Sequence, residues 1–414
     1  MPKIKDLSLA EAGRLKVEFA EQHMPALMRV RQDFEKAKPL KGIMIAACLH
    51  VTKETAVLAK TLAAGSAEVA LCGSNPLSTQ DDVAAYLAKE GIDVFAWHGV
   101  TTEEYYWCIN QALATGPNIL IDDGADLIST AIKENKLEGI ICGLEETTTG
   151  VIRFKAMERD KALKLPIIAV NNAKTKMLLD NIIGTGQSTL DGILRATNIL
   201  LAGKTFVVAG YGNCGKGLAK RAEGMGCKVV ITETDPIKAL QAFYDGYSVM
   251  GMDEAAKTGD IFVTVTGNRD VIKGRHIEKM KSGAIIANSG HFNVEINTEE
   301  LSSLSAGKRT LRPNLEEYRL KTGKIIYLLA EGRLVNLAAA EGHPSEIMQT
   351  SFCNQALCVK HAAQNRGRLE KKVYDVPHEI DRHVAELALA SYGVKTDILT
   401  QEQKKYLESW EHGT

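Results

Sequence analysis

The sequence predicts an α/β protein of two doubly wound lobes followed by a small helical tail, and three observations predict it. From Gly42 onward, short apolar runs alternate with amphipathic stretches of roughly ten to fifteen residues, the pattern of a parallel sheet wrapped in helices. A second series of such runs begins at Thr205. Its first member breaks into Gly210-x-Gly212-x-x-Gly215, a turn that the first series lacks. The two lobes therefore share an architecture and differ in what they bind. At 414 residues the chain is long enough for two or three domains.

The elements follow in order. Ser8-x-x-Glu11 reads as a capping box that opens one amphipathic helix running to about Lys36. Residues 43–49 form an apolar strand, and Thr52 caps a helix that ends near Gly65. Residues 68–72 are the next strand, followed by a helix capped at Ser78. Strands at 92–97 and 119–121 flank a helix at 103–113, and strands at 140–142 and 166–170 complete the first lobe. A helix over 188–201 carries the chain across. Strands at 205–209, 228–232, 261–265 and 284–287 build the second lobe, and a charged hairpin spans 316–329. A helix over 345–365 precedes a tail, rich in Lys, Glu and Asp, with one or two further helices.

The glycine turn carries the first functional reading. Gly210 permits the tight turn, Gly212 lets backbone approach a pyrophosphate, and Gly215 allows close helix packing. The helix that follows points its N-terminus at the anion. Glu233, eighteen residues past the last glycine, ends the next strand. Its carboxylate would accept hydrogen bonds from a ribose diol and repel a 2′-phosphate, so the expected cofactor is NAD rather than NADP.

Composition narrows the partners. Lys plus Arg number 50 against 51 for Asp plus Glu, leaving no net field to recruit nucleic acid or an anionic membrane. No apolar run approaches the ~18 residues of a membrane span, and the polar N-terminus does not read as a signal peptide. The eight cysteines show neither CxxC nor zinc spacing, so no metal is expected and a reduced, cytoplasmic chain is.

Polar residues crowd the ends of the first lobe's strands: His50, Thr52 and Glu54, then Ser78-Thr-Gln80, Asp122-Asp123-Gly124, Glu145-Glu146 and Asn171-Asn172. Open α/β sheets bind ligands there, so this lobe reads as the substrate lobe. Lys176 and Asp180 are spaced i,i+4 and would meet on one helix face. A paired, partly buried lysine can be neutral and take a proton from an alcohol as hydride leaves; the plain alternative is a surface ion pair. Plainer readings exist for the others too. Asp122 or Asp123 can cap a helix, Glu145 can be a solvated or capping neighbour, and Thr147–Thr149 can start the following helix. Met348 fits a core as well as a ligand wall. A 2-hydroxy-acid dehydrogenase would use His291 and Arg275, but it leaves Lys176, Asp123 and His50 idle. A non-catalytic homologue that only binds NAD would be expected to have lost those positions.

Nine motifs then follow one another in a single order. They are Leu49-His-x-Thr-x-Glu-Thr55, Ser78-Thr-Gln-Asp81, Asp122-Asp-Gly124, Glu145-Glu-Thr-Thr-Thr-Gly150, Lys176-x-x-x-Asp-Asn181, Ala209-Gly-Tyr-Gly212, Gly290-His-Phe292, Ala330-Glu-Gly-Arg-Leu-Val-Asn336 and Gly342-His-Pro-Ser345. Together, from about Glu21 to Tyr406, they resemble the S-adenosyl-L-homocysteine hydrolase family.

The resemblance implies reversible hydrolysis of S-adenosylhomocysteine to adenosine and homocysteine, a step of the methyl cycle, through transient 3′-oxidation by bound NAD. It implies a substrate lobe at 1–182, a Rossmann NAD-binding domain at 183–340, and a return to the substrate lobe with an oligomerisation tail at 341–414. It also implies a homotetramer. Lys176, supported by Asp180, would take the 3′-hydroxyl proton, Asp123 would work at C4′, and His50 would serve the leaving sulfur and incoming water. Glu146 and His291 would hold the ribose hydroxyls, with Asn171 in the same network. Thr52, Glu54, His343 and Met348 would surround the base. Thr147, Thr148, Thr149, Asn181, Gly210, Gly212, Asn213, Cys214, Gly215, Glu233, Lys238, Thr266, Asn268, Gly290, His291 and Asn336 would hold the cofactor. Two departures stand out. Lys238 occupies a position where the family often has Asn, and the chain ends without the Lys- and Tyr-bearing tail of long members. It thus resembles the short archaeal and thermophilic form, among which some relatives prefer S-inosylhomocysteine. Thr52-x-Glu54 favours adenine, because a carboxylate accepts from an amino group and opposes a carbonyl.

Overall fold

In the computed structural model, residues 2–410 are described; Met1 and the last positions of the tail, 411–414, lie outside the described residues. The first lobe is a parallel sheet of β1 (Met44–Leu49), β2 (Glu68–Gly73), β3 (Asp93–Phe95), β4 (Ile119–Asp122), β5 (Cys142–Glu145) and β6 (Ile167–Ala169). The second is built from β7 (Thr205–Ala209), β8 (Lys228–Thr232), β9 (Ser248–Val249), β10 (Ile261–Thr264), β11 (Ala284–Asn288), β12 (Ser305–Arg312), β13 (Leu315–Leu320) and β14 (Ile325–Leu329). A last strand, β15 (Val373–Asp375), returns to the first sheet and pairs in parallel with β6. The orders are β15-β6-β5-β4-β1-β2-β3 and β12-β13-β14-β11-β10-β7-β8-β9.

The central strands are buried on both faces, so they read as continuous apolar runs. Alternate residues serve opposite cores. Ile45, Ala47 and Leu49 pack into one cluster, while Ala46 and Cys48 pack into the cluster on the other face. In the second lobe, Phe206 and Val208 pack on one face and Val207 on the other. Helix Ser345–Gln364 lays Phe352, Cys353, Ala356 and Val359 against the first lobe's core. No helix among the described residues is long and apolar enough to cross a membrane.

Several elements differ from the sequence reading, each for a local reason. The first helix is two, Ala10–Gln22 and Pro25–Ala37, because Pro25 cannot continue a helix but starts one readily. Ser8 and Glu11 form no capping box. Asp6 caps instead, accepting from the Ser8 amide at 2.8 Å, and Glu11 pairs with Arg14. The helix expected from Ser78 begins at Asp81, since the Ser78 hydroxyl is engaged by His50. The strand placed at 140–142 is shifted forward to β5, setting Glu145 opposite Asp122. β12 is exposed along its length and gave no apolar signal. The crossing helix starts earlier than Ser188: Lys174–Lys176 runs into a π-helical stretch, Met177–Gly184, and on through Thr185–Thr197.

Candidate active site

Among the parallel strands, the order reverses between β1 and β4 in the first lobe and between β7 and β10 in the second. Such switch points are where open α/β sheets bind ligands. Here both open onto one cavity of about 910 Å³, lined from the first lobe by His50 and Asp123 and from the second by Gly210 and Thr266. Every predicted site residue lines it except Gly215, which packs behind the turn, and Asn171, which lies one side chain back.

The second-lobe end has the form of a dinucleotide cradle. Gly210 sits at φ +108°, and a Cβ built on Gly215 would lie 2.0 Å from the Gly210 carbonyl oxygen. Nothing stands within 4 Å of the Cβ position of Gly212, so backbone is open to a ligand there. Helix Asn213–Gly224 starts immediately beyond. Glu233 is clamped by the amides of Tyr211, Thr234 and Asp235, at 2.7, 2.7 and 3.0 Å. Although burial opposes it, these amides hold its carboxyl below the usual range. Lys238 lies 3.8 Å from Asp235 on the cavity rim. Farther in, Asn336 is 2 % exposed and its Oδ1 has no partner, a buried acceptor awaiting a donor. These residues fit a dinucleotide with a free ribose diol. Gly215→Ala is expected to force the turn open at a cost of roughly 1–3 kcal/mol and to weaken dinucleotide binding about tenfold or more. Equilibrium titration of the cofactor checks this.

Lys176 stands where the two ends meet and is 4 % exposed. Its Nζ donates to Asp180 Oδ1 at 2.9 Å, Asn181 Oδ1 at 2.7 Å and Asn171 Oδ1 at 3.3 Å, with Glu146 Oε1 at 4.0 Å. The π-helical stretch accounts for the double contact. Its wider turn brings i+5, Asn181, beside the lysine as well as i+4, Asp180. The sequence reading allowed a neutral lysine; the structure corrects it. Burial alone would lower the lysine, but Asp180 and Glu146 overcome it and raise Lys176 to about 12. Burial likewise opposes ionisation of Asp180, yet Lys176 and His343 pull its carboxyl far below the ordinary range. Glu146 goes the other way: burial dominates and lifts it to about 7. Ser351 and Gln355 donate to it.

Opposite lies the pair His50 and Asp123. His50 Nε2 is 3.3 Å from Asp123 Oδ2, and His50 Nδ1 is 2.7 Å from Ser78 Oγ. Burial pushes the His50 imidazole down to about 4, so it is neutral near pH 7. His291, from the second lobe, places Nδ1 3.8 Å from Asp123 Oδ1. One ring nitrogen each of His50 and His291 and a carboxylate oxygen of Asp123 lie within 4.8 Å of one another. The neighbouring acids brace the loop. Asp122 accepts from the Ile128 amide at 2.7 Å and the Asp123 amide at 3.0 Å, and Glu145 accepts from Gly124 and Thr147, both at 2.9 Å. Glu145 is fully buried, not solvated.

At the far end of the first lobe, Thr52 caps helix Lys53–Ala64, and Glu54 is buried against Ser345. His343 Nδ1 lies 3.0 Å from Ser188 Oγ, with Nε2 3.4 Å from Asp180. Met348 completes the wall. Thr148 Oγ1 donates to Asn171 at 3.2 Å, joining the threonine run to the lysine network. Arg275 does not join His291. It donates to His276 at 3.1 Å at the cavity's remote edge, which removes the carboxylate clamp a hydroxy-acid dehydrogenase needs.

Sequence reading missed the supports Ser188, Ser351, Gln355 and Glu295, and it gave Ser78 and Ser345 no role in holding His50 and Glu54. Glu295 is 1 % exposed and accepts from the Thr266 and Gly267 amides at 3.0 and 2.8 Å, shaping the cofactor-side turn. Polar residues spaced along the buried face of Ser345–Gln364 were the one available signal for Ser351 and Gln355.

Comparison with known proteins adds to this geometry. Residues 2–143 match the family described as S-adenosyl-L-homocysteine hydrolase, and residues 181–342 match its NAD binding domain. The chain is 60% identical over 412 residues to the adenosylhomocysteinase of Sulfolobus acidocaldarius, covering 100% of this chain and 99% of that one. It is 60% identical over 414 residues to the adenosylhomocysteinase of Aquifex aeolicus, covering 99% of each. It is also 56% identical over 414 residues to a Methanopyrus kandleri protein named S-inosyl-L-homocysteine hydrolase, covering 99% of this chain and 98% of that one.

Proposed function

The chain belongs to the S-adenosyl-L-homocysteine hydrolase family, and from that premise we propose how its residues share the work. The reaction is hydrolysis of the thioether of S-adenosyl-L-homocysteine to adenosine and homocysteine, and the cofactor is NAD. Bound NAD supplies a reversible oxidation of the ribose 3′-hydroxyl, which turns the C4′ hydrogen into one alpha to a ketone.

The observation that carries the assignment is the facing of two groups across one cavity, Lys176 with Asp180 and Asn181 on one side and Asp123 with His50 on the other. Lys176 takes the 3′-hydroxyl proton. It is an ammonium among its carboxylates, and it becomes an acceptor when a second positive charge enters the cavity and disfavours its own. Asp123 removes and later returns the C4′ proton. His50, neutral and oriented by Ser78, exchanges a proton with the sulfur and then with water. Glu146, fixed by Ser351 and Gln355, and His291 hold the ribose hydroxyls. Thr52, Glu54, His343 and Met348 form the base site. Thr147–Thr149, Asn181, Asn213, Cys214, Glu233, Lys238, Thr266, Asn268, Gly290 and Asn336, with Gly210, Gly212 and Gly215, hold the cofactor. The lobe boundaries follow at 182/183 and 340/341.

Glu54 also supports adenosine over inosine, since an ionised carboxylate cannot donate to O6 of hypoxanthine. A homo-oligomer fits the exposed apolar side chains Ile237, Leu240, Phe243 and Tyr244 on helix Pro236–Tyr244. A cytoplasmic setting fits eight free cysteines. The test of function is thiol release from S-adenosylhomocysteine with no net change in reduced-nicotinamide absorbance; net NADH production would overturn it. With homocysteine in the synthetic direction, adenosine is expected to outcompete inosine by roughly tenfold to a hundredfold, the 1–3 kcal/mol of an unmatched buried acceptor.

A further inference from the structure

We propose that Lys53 sets the base specificity of this site, as a positioning residue that fixes the Glu54 carboxylate; the inference rests on the adenosine reading above. Lys53 and Glu54 are the first two residues of helix Lys53–Ala64. Glu54 is 1 % exposed and lines the cavity, whereas Lys53 does not line it and lies behind. Glu54 Oε1 accepts from Ser345 Oγ at 2.7 Å and faces Lys53 Nζ at 3.2 Å. Both donors act on the same oxygen, which leaves Oε2 as the acceptor available to a ligand. The Lys53 ammonium reaches on to Glu341 Oε2 at 2.9 Å. Glu341 in turn faces Arg195 at 3.5 Å, on the helix that crosses between lobes.

The physical consequence is a carboxylate whose charge is offset and whose torsion is locked. The terminal torsion of a glutamate is soft, and the family includes a relative named for the inosyl substrate at 56% identity. What separates the two bases at this edge is the place of the donor, the exocyclic amino group in adenine and the neighbouring ring N1–H in hypoxanthine, whose position 6 is a carbonyl acceptor. A pinned acceptor discriminates between them; one free to swing aside does not. Ser345 alone, a single neutral donor, leaves the carboxylate that freedom. Specificity here therefore resides in the pair behind the acceptor as much as in the acceptor.

The experiment measures kcat and KM in the synthetic direction, with homocysteine and either adenosine or inosine, for the wild type, Lys53→Met, Lys53→Gln and Lys53→Arg. Lys53→Met and Lys53→Gln are expected to lower the adenosine-over-inosine ratio of kcat/KM about tenfold, mainly by raising KM for adenosine. Lys53→Arg, which keeps a cation there, is expected to hold the ratio. An equal loss on both bases marks a merely structural residue and overturns the proposal, as does an unchanged ratio in either uncharged variant. A wild type that releases no thiol from S-adenosylhomocysteine overturns the underlying reading; a working wild type with an unmoved ratio overturns this inference alone.

Discussion

Lys176→Met is expected to stop turnover, with thiol release from S-adenosylhomocysteine falling about 10³-fold or more, within the range of losing a general acid–base group and its placement. The substitution keeps most of the stem and removes the Nζ that binds Asp180, Asn181 and Asn171 at once. It should also strike the first half-reaction. Adenosine added to the NAD-loaded variant is expected to give no rise in reduced-nicotinamide absorbance, because the 3′-hydroxyl proton has no acceptor. Stability falls too. Asp180 and Glu146 lose their counter-charge in a buried setting, and an orphaned buried charge costs roughly 3–5 kcal/mol. The double variant Lys176→Met with Asp180→Asn separates the two effects: it should regain thermal stability and stay inactive. Wild-type rates of nicotinamide reduction in Lys176→Met would refute the assignment.

Asp123→Asn is expected to split the reaction at a different point. Lys176 and its network remain, so adenosine should still reduce the bound cofactor, while exchange of the C4′ hydrogen with deuterated solvent and thiol chemistry both fall by about 10²–10⁴. The amide is isosteric and preserves the hydrogen-bond reach to His50, now 3.3 Å from the carboxylate. An undiminished C4′ exchange rate in this variant would assign that proton elsewhere, with His50 the nearest other group.

The sheets and the glycine turn were legible because parallel strands buried on both faces leave unbroken apolar runs, and because Gly210 and Gly215 answer backbone geometry that few residues tolerate. The residues proposed to be catalytic were legible as polar groups at strand ends and, for Lys176 and Asp180, as an i,i+4 pair. Their protonation states were not. Lys176 is held charged by Asp180 at 2.9 Å and also by Glu146, which approaches from a different strand end at 4.0 Å, against a burial that local pattern does not reveal. His50 is neutral through its burial, which no local pattern encodes. The supports were hidden for the same reason: Ser351 and Gln355 meet Glu146 across more than two hundred residues, 205 and 209 positions apart. Short elements such as β15, three residues long, carry too little periodicity to read.

The π-helical stretch Met177–Gly184 sits inside an otherwise continuous rod from Lys174 to Thr197. An α-helix turns about 100° per residue, so the phase between the lysine at one end and the residues anchoring the other lobe is a matter of counting. Deleting a single residue between Asn181 and Thr197 would rotate Lys176, Asp180 and Asn181 together by about 100° relative to the second lobe. The position of the proposed catalytic amine relative to the second lobe is written in the number of residues along that rod.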